Sequence, residues 1–99
     1  MDGLKLGKIQ QKNPNDPEFT FWCPGCGIYH WFKTTGDHPT WTWNGDMRKP
    51  TVNPSILVRY PQDGQTKVCH FFMREGKIQY LDDCTHDLRG KTVDMEDDD

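Results

Sequence analysis

The chain has no apolar run long enough to cross a bilayer and no hydrophobic leader near its N-terminus, so it reads as a soluble, cytoplasmic protein. Sustained helical periodicity is missing as well, and so are internal repeats. There is no basic stripe of the kind that follows a phosphate backbone, which argues against a nucleic-acid partner. Arg48-Lys49, near Trp41 and Trp43, comes closest to one. Hydrophobic residues make up only 33% of 99 residues. A domain this short buries a smaller share of its surface than a larger one. One domain is the most that the length allows, and something besides an oily interior has to hold it together.

What the chain does have is aromatic: five Phe, four Trp and three Tyr. They sit in short runs that favour strands. Phe19-Thr20-Phe21-Trp22 and Ile28-Tyr29-His30-Trp31-Phe32 flank a turn, and Thr40-Trp41-Thr42-Trp43 alternates up to Asn44-Gly45, a strong hairpin signal. The segment 50–54 is held extended by its two prolines. Strands are then expected over 55–60, 67–73 and 77–81, the last two forming a hairpin across Arg74-Glu75-Gly76. The fold class is therefore mostly β: a small antiparallel domain built from hairpins. Residues 1–18 read as an N-terminal strand or arm and a Pro-rich loop (Leu4, Leu6 and Ile9 alternate loosely), and 19–93 as the β domain.

Residues 94–99 read as an acidic tail. The net charge of −3 comes from this end, because Asp94, Glu96, Asp97, Asp98 and Asp99 are 5 of the 15 acids. The rest of the chain sets 12 bases against 10 acids and is nearly neutral. Such a run is a solvated segment rather than a packed one.

The four cysteines offer the missing staple. Cys23-Pro24-Gly25-Cys26-Gly27 has the form of a metal knuckle, in which the turn aims two thiolates at one point and glycine lets the backbone approach them. Two further ligands are needed, and Cys69, His70, Cys84 and His86 are available. Structural Zn²⁺ is the reading, zinc-ribbon-like in its knuckle, with Cys23, Cys26 and Cys69 joined by either His86 or Cys84. His30 is held in reserve, and His38 reads as a surface residue.

Which of these share a face depends on the turn at Glu75-Gly76. A two-residue turn puts Glu75 at positive φ, which glutamate resists, so a three-residue turn with Gly76 left-handed is expected. That register pairs Met73 with Lys77 and His70 with Tyr80. It sets His70, Asp82, Cys84 and His86 on one face and Cys69 on the other. The two-residue turn would instead gather Cys69, Cys84 and His86.

Several spaced motifs together resemble a known family. They are the Cys-Pro-Gly-Cys-Gly knuckle, Trp41-Thr42-Trp43-Asn44-Gly45-Asp46, Pro50-Thr51 with Pro54-Ser55-Ile56, Cys69-His70-Phe71-Phe72, and Asp83-Cys84-Thr85-His86 followed by Gly90-Lys91-Thr92-Val93. The family is one of small phage and prophage proteins of unassigned function, some of them labelled ammonia monooxygenase. More distantly, the knuckle, the Pro-Ser-Ile step and the Cys-His-aromatic strand are similar to a domain of bacterial ubiquitin-like conjugation operons, considered a serine peptidase. The first resemblance implies a phage-type zinc module, with bacteriophage context, that binds and modulates a host protein. The second implies a peptidase-like hydrolase with Ser55 as nucleophile, His70 as base and zinc on Cys23, Cys26 and Cys69. Asp82 or Asp83 would then orient the imidazole. Without that role, Ser55 is a turn residue after Pro54.

Overall fold

Alternation of side chains along extended backbone decides the architecture, and the computed structural model describes it for residues 8–11, 13, 15–37 and 39–96. Leu4 and Leu6 of the expected arm, His38 and the acids Asp97, Asp98 and Asp99 lie outside the described residues. Eight strands form two antiparallel sheets, and there is no helix among the described residues. None is therefore long and apolar enough to cross a membrane. The first sheet orders β1 (Gln10–Gln11), β2 (Glu18–Cys23) and β3 (Ile28–Lys33). The second orders β4 (Thr42–Trp43), β5 (Val52–Gln62), β6 (Gln65–Arg74), β7 (Lys77–Tyr80) and β8 (Thr92–Asp94).

Period-2 patterning sends Phe19, Phe21 and Cys23 of β2 and His30 and Phe32 of β3 inward. They meet Val52, Ile56, Cys69, Phe71, Met73, Ile78 and Tyr80 of the second sheet in one buried cluster. Phe21 packs edge-on against Phe71 with ring centroids 5.6 Å apart, and Phe19 stacks on Phe32 at 5.4 Å. Each fully buried aromatic of this kind contributes about 1.5–3 kcal/mol. Ile9, ahead of β1, and Met95, after β8, are also buried in this core. Asp94, grouped above with the acidic end, closes β8 and pairs with Lys77 at 2.5 Å.

The β6–β7 turn differs from the expected one. Phe71 pairs with Tyr80 and Arg74 with Lys77, so the loop is the two-residue Glu75-Gly76, with Glu75 at φ 48° and Gly76 at φ 77°. The cost of a left-handed glutamate, roughly 1–2 kcal/mol, is offset from outside the hairpin. The Glu75 N–H donates to Thr51 Oγ1 at 2.9 Å and the Gly76 N–H to the Pro50 carbonyl at 3.0 Å. In turn, the Gly76 carbonyl accepts from the Met95 N–H at 3.0 Å. Local propensity loses to these tertiary bonds.

The same docking makes Gly76 sterically tight. A Cβ there would lie 3.1 Å from the Arg48 carbonyl oxygen, whereas one at Gly64, at the nearly identical φ of 76°, meets nothing within 4 Å. Gly76→Ala should therefore cost about 1 kcal/mol more than Gly64→Ala in denaturant unfolding. Equal losses would show that the turn is not pressed against the Arg48 backbone.

Candidate active site and metal centre

The knuckle between β2 and β3 closes through a hydrogen bond from the Gly27 N–H to the Cys23 carbonyl at 2.8 Å, with Gly27 at φ 70°. It delivers Cys23 and Cys26 to one spot between the sheets. Cys69 reaches that spot from β6, and His86 from the segment after β7. One ligand atom from each of Cys23, Cys26, Cys69 and His86 lies within 4.8 Å of the others, a group that could hold a metal ion. All four cysteines are free thiols. Hydrogen bonding to Cys26 and Cys69 holds the Cys23 thiol far below its ordinary range, while bonding to Cys23 pushes Cys69 far above it. Such a cluster cannot ionise fully without a cation. Burial lowers the His86 imidazole, favouring the neutral form that ligates.

Tyr80 completes this centre, and nothing in the sequence singled it out. Its hydroxyl lies 3.1 Å from Cys23 Sγ and accepts from the Gly25 N–H at 3.2 Å, while its ring stands edge-on to His86 with centroids 4.5 Å apart. Read from the sequence, it was one more alternating aromatic. His30, the reserve ligand, stands outside the four-residue cluster. It is buried, stacked at 6.1 Å on Phe71, and its Nε2 has no hydrogen-bond partner among the described residues.

On the outer face of the second sheet, a different set meets. Leu57 pairs with His70 across β5 and β6, and the β5 register shifts between Val52 and Ile56, where Asn53, Pro54 and Ser55 intervene. Bulges of this kind re-aim side chains. Here Ser55 Oγ lies 3.2 Å from His70 Nε2, and His70 Nδ1 lies 3.0 Å from Asp83 Oδ2 and 3.3 Å from Oδ1. With Nδ1–H donating to the carboxylate, Nε2 is left to accept the serine proton. Of the two acids considered, Asp83 makes this contact; Asp82 does not.

Cys84 lies apart from the metal cluster. Its thiol is buried against β6: it accepts from the His70 N–H and donates to the His70 carbonyl, both at 3.2 Å. Burial pushes that thiol up, keeping it neutral. Thr85 repeats the pattern one step along, its hydroxyl accepting from the Val68 N–H at 3.0 Å and its own N–H donating to the Val68 carbonyl at 3.0 Å. The segment 81–86 is thus an irregular strap laid along β6. The two-residue turn brings Cys69 and His86 together, as that register implied. The chain turns after Leu81, however, and so Cys84 faces the His70 backbone rather than the thiolates.

Over residues 4–81 the chain matches the model of BubE, a bacterial ubiquitination-like system serine protease. The chain belongs to the BubE family. Cys23, Cys26, Ser55, Cys69 and His70 fall inside the matched stretch, whereas Asp83, Cys84 and His86 follow it. No curated protein and no solved structure matches the chain.

Gly25 offers a test of the metal centre. A Cβ there would stand 2.4 Å from the His86 ring. Gly25→Ala should therefore displace His86 and weaken metal retention by at least about tenfold in a chelator competition, since one ligand of four is disturbed. Unchanged retention would remove His86 from the site.

Proposed function

We propose that this chain is a serine peptidase of the BubE type. Ser55 is its nucleophile, His70 its general base and Asp83 the acid that fixes the imidazole, on a scaffold clamped by structural Zn²⁺. The observation that carries the reading is the continuous relay from Ser55 Oγ through His70 to Asp83, at 3.2 and 3.0 Å. Its catalytic atoms lie within hydrogen-bond reach, as proton transfer requires. Ser55 Oγ attacks the scissile carbonyl while His70 Nε2 takes its proton. The same imidazolium then protonates the departing amine. Water, activated by His70, releases the acyl group and restores the serine. Asp83 holds the ring in the tautomer with Nε2 free and stabilises the imidazolium. Its carboxylate is 56% exposed, so water screens part of that help.

The zinc assignment is supported by spacing. Tetrahedral bonds of about 2.3 Å to sulfur and about 2.0–2.1 Å to nitrogen imply sulfur–sulfur edges of ~3.8 Å and sulfur–nitrogen edges of ~3.6 Å. Cys23 Sγ and Cys69 Sγ are 3.8 Å apart, and Cys69 Sγ and His86 Nε2 are 3.5 Å apart. Four protein ligands leave no open position, which makes the ion structural rather than catalytic. The family's own description supports a substrate from a ubiquitin-like conjugation system. A cytoplasmic location fits that role. The other reading, a phage module that modulates a host protein without catalysis, rests on motif resemblance and gives the Ser55–His70–Asp83 relay no role.

A fluorophosphonate probe should label the zinc-loaded wild type and not Ser55→Ala, with the zinc content of the variant unchanged. Asp83→Asn should slow labelling by roughly 10²-fold or more, the loss expected when the imidazole tautomer is no longer held. Asp82→Asn should stay within about twofold. Wild-type protein that carries zinc yet resists the probe would overturn the peptidase reading. Stoichiometric zinc in purified material is expected too, and bound ion at about 100 times its Kd contributes ~2.7 kcal/mol to stability. Chelation should therefore lower the unfolding midpoint, and a metal-free protein of unchanged stability would refute the clamp.

A further inference from the structure

A second feature adjoins the serine and has no role in the relay. β4 covers β5 only at Thr42↔Asn53 and Trp43↔Val52, so from Ile56 to Gln62 no strand among the described residues pairs with that side of β5. The facing strand, β3, is likewise the last of its sheet. Between these two edges runs a groove of about 440 Å³, lined by Ile56, Val58 and Tyr60 of β5 and by Tyr29, Trp31 and Trp41. Unpaired strand edges are templates for another chain, and proteins normally blunt them. Here Pro54 and Pro61, which have no N–H to offer, bracket the open stretch without closing it. Exposed large apolar side chains concentrate at the same place: Tyr29 is 54% exposed, Trp31 56% and Leu57 44%.

We propose that this groove binds the substrate as an added strand, an extended polypeptide segment paired along the free edge of β5. The proposal rests on the peptidase reading and specifies which part of the substrate is held. The groove adjoins the nucleophile, because Trp41, one of its lining residues, donates its indole N–H to the Ser55 carbonyl at 3.2 Å. Ser55 lies at the N-terminal end of the open stretch. A segment running antiparallel to β5 therefore arrives at Ser55 with its own C-terminal end. The groove takes the residues that precede the scissile bond, the part that becomes the acyl group. At ~3.3 Å per residue, the span of β5 that lines it holds four or five of them. Successive side chains of an added strand point alternately to the apolar lining of the groove and to solvent. Of the two basic lining residues, Lys33 lies toward Ser55, its carbonyl accepting from the Trp41 N–H, and Arg59 lies toward the other end, so Arg59 favours an acidic side chain at the end away from Ser55. The occupant is thus a flexible, apolar-rich tail with an acidic residue upstream of its cleavage point. A folded surface cannot enter between two strand edges.

Two measurements test this with the zinc-loaded full chain. The first compares labelling by a small ethoxy fluorophosphonate with labelling by a phosphonate carrying acetyl-Glu-Leu-Val-Ala before phosphorus. Replacing both groove aromatics, Tyr29→Ala with Trp31→Ala, should slow the peptidyl probe about tenfold and leave the small probe within twofold. Equal slowing of both probes, or of neither, overturns the groove. The second uses Ser55→Ala and the unreactive peptide acetyl-Glu-Leu-Val-Ala-amide. Amide shifts should concentrate at residues 28–33 and 56–60, and shifts elsewhere or none overturn the groove. Groove shifts in protein whose wild type resists both probes would overturn the peptidase reading alone.

Discussion

Adjacent residues of a strand point to opposite faces, and both side-chain clusters depend on that rule acting at Cys69-His70. Cys69 enters the space between the sheets and joins the knuckle thiols, while His70 stands on the outer face beside Ser55. One strand thus serves two sites through its two faces. A slip of one residue in β6 would exchange them, so the metal cluster and the relay are either both in register or both lost. The pressure on that register is high, because Phe71 and Met73 carry the core on the face of Cys69.

The strap after β7 answers this alternation with one of its own. Asp83 meets His70 on the outer face, His86 meets Cys69 inside, and between them Cys84 and Thr85 hydrogen-bond to the backbone of β6. A buried thiol that donates to one carbonyl and accepts from the amide of the same residue satisfies both groups where water cannot reach them. Cys84 therefore fixes the spacing between Asp83 and His86, although it is a member of neither cluster. Asp83, which bonds His70, and His86, which joins the thiol cluster, belong to one short, doubly anchored segment.

Much of this was legible from residue order. The aromatic runs named the strands, the knuckle named the turn between β2 and β3, and the thiols of Cys23, Cys26 and Cys69 converge with the His86 ring. What was not legible depended on contacts distant in sequence. Glu75 accepts a left-handed conformation because Thr51 and Pro50 bond its turn, and nothing within the hairpin announces this. Strand parity expires at the turn after Leu81, so it could not tell Asp82 from Asp83 or foresee that Cys84 would face the His70 backbone. His30, held in reserve for the metal, became instead part of the aromatic core beneath it. The Tyr80 hydroxyl near Cys23 is a consequence of packing that alternation alone could not resolve, since a buried tyrosine and a buried phenylalanine read alike until the partner of the oxygen is known.

The strap's place in the chain has a temporal consequence. Asp83 and His86 are made after every other residue of the two clusters, so a polypeptide still emerging from the ribosome holds Ser55 and His70 without Asp83, and three thiols without the His86 ring. Both clusters are then completed at a single stroke, when those few residues lie down along β6.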